Sequence, residues 1–121
     1  MRYTLYISIL CFACLSCDSG VEGNPLGIKP TGEGISVHNL SNKTLYYTAF
    51  ERERLAYINW APCTRPMDCD HVTPGAATVI LYDSIYGYEP GKEVVVFWWN
   101  LEKSDNSEYK AMNLTNAIVK P

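Results

Sequence analysis

Residues 93–101 read EVVVFWWNL, and this stretch decides the fold. Runs of β-branched and aromatic residues favour an extended strand. Because successive side chains on a strand point to opposite faces, the run divides into two sets. One face would carry Val94, Val96 and Trp98, and the other Val95, Phe97 and Trp99. Both sets are apolar, whereas a sheet with one face in water alternates apolar and polar residues. We therefore predict a central strand that is covered on both sides.

Strand-like patterns continue on both sides of this stretch. They occupy residues 35–38, 44–50, 78–82 and 116–120. The first two flank the turn-rich residues 40–43 and are predicted to form a hairpin. Together the patterns predict an all-β fold, a small antiparallel β-sandwich or open barrel of about five to seven strands.

Residues 51–60 are the one helix-like stretch, and they show no clear cap. A single helical turn would also satisfy this pattern. At its start, the alternating Glu51-Arg52-Glu53-Arg54 is interpreted as a solvated run of charges.

Composition disfavours several classes of function. The chain has 121 residues, of which 47% are hydrophobic and 19% charged, as in ordinary globular proteins. The net charge is −3 and no cluster of Lys and Arg occurs, which disfavours a nucleic-acid binder. With only two histidines, His38 and His71, and no G-x-S-x-G pattern, we predict no catalytic residue, no metal site and no cofactor. The protein is therefore predicted to be a binding protein rather than an enzyme, with a small hydrolase as a further alternative.

The amino terminus is typical of a secretion signal. Residues 1–16 read MRYTLYISILCFACLS, with Arg2 near the start and an uncharged, mostly apolar run after it. The apolar centre, residues 5–15, is shorter than the roughly 20 residues that a membrane-spanning helix needs. It therefore fits a cleaved signal peptide. A first helix or strand buried in the fold is the alternative interpretation.

The end of that run resembles the lipobox of bacterial lipoproteins, in the form Leu15-Ser16-Cys17. In that family the Cys thiol carries diacylglycerol, a signal peptidase cleaves before the Cys, and the new amino group is acylated. Cys14, preceded by Ala13, is a rival acceptor. The resemblance implies lipidation at Cys17 and a place in the cell envelope, anchored in a bacterial membrane, the outer membrane being favoured over the inner.

The resemblance also divides the chain into three parts. Residues 1–16 would be the lipoprotein signal peptide. Residues 17–33 would be the acylated Cys and a flexible linker, because residues 18–33 contain four Gly and two Pro. Residues 34–121 would be the β domain.

Cysteine counting is consistent with export. Cys11 and Cys14 would leave with the signal peptide and Cys17 would carry lipid, which leaves Cys63 and Cys69. An even pair in an exported chain is the setting in which disulfides form. Free thiols and a two-thiolate metal site are the alternatives, although the spacing differs from that of zinc modules.

Aromatic side chains are the candidates for ligand binding. Tyr86 and Tyr88 lie in a stretch rich in Gly and Pro and are expected to be exposed, and Trp60 and Trp99 are further candidates. Tyrosine and tryptophan anchor protein interfaces and stack on sugars. The alternative is that most of them fill the core. We predict that the domain binds an envelope protein partner, with a glycan as the alternative ligand.

One further resemblance concerns the β domain. It is similar to an uncharacterised group of small exported bacterial β proteins, which implies a shared β fold and transfers no catalytic residue. The motifs that carry it are Asn59-Trp-Ala-Pro-Cys63, Cys69, Pro74-Gly75, Gly87-Tyr88 and Trp98-Trp99.

Overall fold

Two antiparallel sheets form the fold that the computed structural model describes, over residues 25–121. The strands are β1 (Leu26–Pro30), β2 (Gly34–Asn39), β3 (Leu45–Glu51), β4 (His71–Val72), β5 (Ala77–Leu81), β6 (Val94–Lys103) and β7 (Tyr109–Val119). A single helical turn, α1 (Arg52–Leu55), follows β3, and a 3₁₀ turn (Tyr82–Ser84) follows β5. The predicted all-β fold of five to seven strands is confirmed, in the form of a small sandwich. The signal peptide, Cys17 and the linker up to residue 24 lie outside the described residues.

Strand β6 lies inside the larger sheet. That sheet has the order β4-β3-β6-β7, and the smaller sheet has the order β1-β2-β5. In the register, Phe97 of β6 pairs with Thr48 of β3 on one side and with Asn116 of β7 on the other. The stretch that decides the fold therefore forms the predicted central strand.

One face of β6 packs against the smaller sheet. Val94, Val96 and Trp98 are buried in a core shared by both sheets. The smaller sheet contributes Leu26, Ile35, Val37 and Ile80 to this core. Burial of so many apolar side chains is the main stabilising term for a domain of this size.

The other face of β6 is covered by the chain that follows α1. Trp60 packs against Phe97, with ring centroids 4.5 Å apart, and against Phe50 and Trp99 at 5.3 and 6.2 Å. We call these four side chains the aromatic layer. Because this layer covers the second face of β6, the prediction of a strand buried on both sides is confirmed.

A disulfide between Cys63 and Cys69 closes the segment that follows Trp60, with their Cα atoms 5.8 Å apart. This confirms the predicted pairing over free thiols or a metal site. The Trp99 indole N–H donates to the Cys63 carbonyl at 3.0 Å and so fastens the segment to β6. Closing a loop of this length stabilises the fold by about 2 kcal/mol.

The smaller sheet begins earlier than the sequence predicts. Residues 26–30, expected to belong to a flexible linker, form β1 and pair with β2 from Leu26↔Asn39 to Pro30↔Ile35. Leu26 is fully buried and Ile28 packs against the core. One face of this Gly- and Pro-containing strand is therefore buried. That burial offsets the entropy lost on ordering the strand.

The predicted hairpin of residues 35–38 and 44–50 is wrong, because β2 and β3 lie in different sheets. Asn39 is fully buried where the chain crosses between them. Its amide nitrogen donates to the carbonyls of Lys43 and Val72, at 2.7 and 2.8 Å, and its side-chain oxygen accepts from the backbone and hydroxyl of Ser41. These bonds hold residues 40–43 as a link between sheets instead of a tight hairpin turn.

The helical turn α1 is capped by a residue that was expected to be solvated. Glu51 is buried, and its carboxylate accepts hydrogen bonds from the backbone N–H groups of Glu53 and Arg54 at 2.7 and 3.1 Å. A carboxylate in this position also complements the positive end of the turn. The solvated-run interpretation therefore fails at Glu51, whereas the three residues after it are exposed.

The two glycines of the smaller sheet provide a matched test of its close packing. A Cβ at Gly34 would collide with the Ile80 carbonyl oxygen and lie 2.8 Å from its carbon, whereas a Cβ at Gly27 would meet atoms no closer than 3.6 Å. We expect Gly34→Ala to reduce the free energy of unfolding by about 2 kcal/mol, because backbone must shift. Gly27→Ala should change it by less than about 1 kcal/mol. Urea denaturation measures both, and equal losses would contradict this account of the β2–β5 contact.

Candidate functional site

A groove of about 760 Å³ lies beside the turn that follows β5. Three tyrosines, Tyr82, Tyr86 and Tyr88, line it together with Thr31 from the loop between β1 and β2. We call it the tyrosine groove. The loop between β1 and β2 and the turn after β5 therefore both contribute to its walls.

The turn that carries the tyrosines is anchored in the core. Ile85 is buried, and its N–H donates to the Tyr82 carbonyl at 3.0 Å. The Tyr88 N–H in turn donates to the Ile85 carbonyl at 3.1 Å. The buried Ile85 therefore fixes the backbone from which the flanking tyrosines project.

Tyr82 and Tyr88 form the floor of the groove. Their rings are stacked, with centroids 4.7 Å apart and planes 17° from parallel. The Tyr82 hydroxyl donates to the Thr31 carbonyl at 2.8 Å. Burial raises the pKa of the Tyr82 hydroxyl above its ordinary value, and Tyr88 adds to the effect. A tyrosine hydroxyl is protonated at neutral pH even at its ordinary pKa, so it is available to donate this bond.

Tyr86 stands at the mouth of the groove and is 62% exposed. The Arg54 guanidinium lies 5.9 Å from the centre of its ring, within the range of a cation–π contact. The Glu51 N–H donates to the Tyr86 carbonyl at 3.4 Å. Both contacts come from the corner between β3 and α1, which therefore positions the Tyr86 backbone and places a cation beside its ring.

Gly87 permits this arrangement. Its φ is +80°, and a Cβ there would collide with Cγ of Arg54 and lie 3.2 Å from its Cδ. Glycine is therefore favoured here for two reasons, the left-handed backbone and the close approach of the arginine side chain.

The chemistry of the groove suits binding. Three tyrosine rings and two prolines line it, and Asp83 is the one acidic side chain among its lining residues. Rings offer broad apolar contact at low entropic cost, while hydroxyl and carboxylate groups orient a ligand.

The predicted binding residues fall into two separate places. Tyr86 and Tyr88 lie in the tyrosine groove, and Tyr86 has the exposure expected of it. Tyr88 is instead half-buried because it packs against the core, so the expectation that it is exposed is corrected. Trp60 and Trp99 instead belong to the aromatic layer. Trp99 is only 2% exposed and its indole N–H is bonded to Cys63, so the expectation that it offers a surface to a ligand is corrected. Trp60 is half-buried over β6.

The sequence analysis misses Tyr82, which lines the groove, and Arg54, which contacts Tyr86 from outside it. The local pattern places Tyr82 at the end of a strand and Arg54 in a solvated run of charges. Tyr82 could have been found from its recurrence with Tyr86 and Tyr88 around Gly87. Nothing local to Arg54 indicates its partner, because Tyr86 lies 32 residues further along the chain.

The two histidines take part in backbone hydrogen bonds. Nε2 of His38 lies 3.2 Å from the Gly75 carbonyl, and Nδ1 of His71 lies 3.1 Å from the Cys69 carbonyl. Across residues 25–121, no three His, Cys, Asp or Glu side chains group in a way that could hold a metal ion.

Comparison of the chain with protein-family models, with curated proteins and with solved structures finds no match. Among the helices of the described residues, none is long and apolar enough to cross a bilayer.

Gly75 and Gly87 form a matched pair, because both have φ of +80° and only Gly87 has a neighbour in the way. Gly75→Ala should cost about 1 kcal/mol of stability, the penalty of a left-handed alanine. Gly87→Ala should cost about 1 kcal/mol more, because Arg54 must also leave the Tyr86 ring. Urea denaturation of both variants separates the two contributions. Equal losses would show that the Arg54 contact contributes nothing.

Proposed function

We propose that the protein is a membrane-anchored bacterial lipoprotein whose β domain binds an envelope protein partner through the tyrosine groove. The observation that carries the binding proposal is the exposed Tyr86 ring, held by Arg54 at the mouth of a groove floored by two stacked tyrosines. Exposed aromatic side chains that are already ordered make effective interface anchors, because little conformational entropy is lost on binding.

The lipid anchor is supported by the lipobox-like Leu15-Ser16-Cys17 and by the disulfide, a bond typical of exported chains. Eight Cα-to-Cα steps, through seven intervening residues, lead from Cys17 to Pro25, where the described fold begins. Fully extended, they span at most about 28 Å. An acylated Cys17 would therefore keep the domain close to the membrane surface, where a membrane-bound partner is within reach.

A glycan is the second candidate ligand. Asp83 is exposed in the same groove as Tyr86, and an aromatic face beside a carboxylate is a common way to contact sugar rings and their hydroxyl groups.

The anchor can be tested by labelling cells with radioactive palmitate. Cys17→Ala should abolish labelling and release the protein from the membrane fraction, because the acceptor thiol is lost. Cys14→Ala is the matched control and should retain both. Label that persists in Cys17→Ala, or is lost only in Cys14→Ala, would refute acylation at Cys17.

The groove can be tested by photo-crosslinking in the native envelope. A photoreactive phenylalanine analogue in place of Tyr86 should capture a discrete protein, and the same analogue in place of Tyr109, an exposed tyrosine on β7, should not. With the captured protein purified, Tyr86→Ala should weaken binding by about tenfold or more, as expected for an aromatic anchor, and Tyr109→Ala by less than about twofold. Equal capture at both positions would contradict the proposal.

Binding on a glycan array that disappears in Tyr86→Ala would favour the second candidate.

A further inference from the structure

The two sheets of the described fold end in four edge strands, β1, β5, β4 and β7. An edge strand presents unpaired N–H and C=O groups, and proteins usually protect such edges from pairing with other chains. Charged residues, proline, bulges and very short strands are the common protective devices. A regular edge that lacks all of them is a candidate interaction surface.

Three of the four edges carry such a device. β1 contains Lys29 and Pro30. β4 has only two residues. β7 contains Lys110, and its pairing with β6 shifts register between Trp98 and Asn100, near Asn113 with its φ of +57°. These features interrupt the row of hydrogen-bonding groups that another strand would need.

The fourth edge, β5, carries none of these devices. Its sequence is ATVIL, with no charge, proline or glycine, and it pairs with β2 without interruption along its length. On the face turned away from the core, Val79 is 44% and Leu81 50% exposed. β5 is therefore an uncharged and uninterrupted edge whose outward face is apolar.

The register shows which backbone groups of β5 are available. The Asn39 N–H bonds the Ala76 carbonyl, and the Tyr82 N–H bonds the Glu33 carbonyl, so alternate residues from 76 to 82 point their backbone groups toward β2. The groups of Ala77, Val79 and Leu81 consequently point to the free edge. The Leu81 carbonyl also accepts from the Ser84 hydroxyl at 2.7 Å, which leaves one of its lone pairs.

Ala77, Val79 and Leu81 can pair with the same three residues of a second copy of the chain. In an antiparallel pair with its two-fold axis at Val79, each Val79 would face the other, and each Ala77 would face a Leu81. Each of the three pairs exchanges two backbone hydrogen bonds, so every outward group of β5 finds a partner. The facing side chains are all apolar, and no like charges meet across the axis.

We propose that β5 is an interface for a second copy of this chain, which joins two three-stranded sheets into one continuous six-stranded sheet. The proposal does not depend on the tyrosine groove or on the lipid anchor. Since only five residues of each chain pair, the interface is at the small end for protein contacts, and the dimer should be weak and dependent on concentration.

The test uses the full-length protein, in detergent if it is acylated, and sedimentation velocity over a series of concentrations. The wild type should shift from monomer to dimer as the concentration rises. Val79→Lys and Val79→Glu should each remain monomeric, because two like charges would meet at the axis. Leu114→Lys, at a comparably exposed apolar position on β7, is the matched control and should dimerise like the wild type.

Mixing the two charged variants gives the decisive result. Because residue 79 faces its own counterpart, an equimolar mixture of Val79→Lys and Val79→Glu should form dimers that neither forms alone. Far-UV circular dichroism and the urea midpoint confirm that each variant is folded. A wild type that stays monomeric, a Val79→Lys variant that dimerises normally, or a mixture that stays monomeric would each overturn the proposal.

Discussion

The burial of both faces of β6 is the constraint on which the rest of the structure depends. Val94 and Val96 are fully buried on one face, and Trp99 is buried on the other. One sheet cannot cover both faces of its own central strand, so the first face needs a second sheet. The second face needs a cover from chain outside the sheets, which the Trp60 segment supplies. The disulfide and the Trp99 hydrogen bond then hold this cover in place without a further layer of secondary structure.

The corner between β3 and α1 connects this core to the tyrosine groove. Glu51 ends β3 and caps α1 with a buried carboxylate, and α1 in turn places Arg54 against Tyr86. The exposed ring of a surface turn thereby gains a contact from the helical turn that follows the larger sheet. Side chains that are rigid before a ligand arrives lose less entropy on binding, and this is the physical advantage of the arrangement.

The groove and the free edge of β5 are neighbours in the chain. β5 ends at Leu81 and the groove begins with Tyr82, whose N–H still pairs with the smaller sheet through Glu33. If two copies pair through β5, their antiparallel arrangement directs the two grooves toward opposite ends of the joined sheet.

The sequence by itself determined the features that depend on neighbours along the chain. The two apolar faces of residues 93–101 predicted a strand covered on both sides, and the cysteine count predicted the Cys63–Cys69 pair. Gly and Pro around Tyr86 predicted its exposure.

Only the tertiary structure decided which strands pair and what each face meets. Residues 26–30 looked like linker because their apolar residues are few, and they form a strand because β2 offers them an edge and the core buries Leu26. Asn39 and Glu51 carry no local sign of burial, since their hydrogen-bond partners become available only once the chain has folded. Strand pairing joins residues far apart in the chain, so a local pattern can indicate a strand but not its partner.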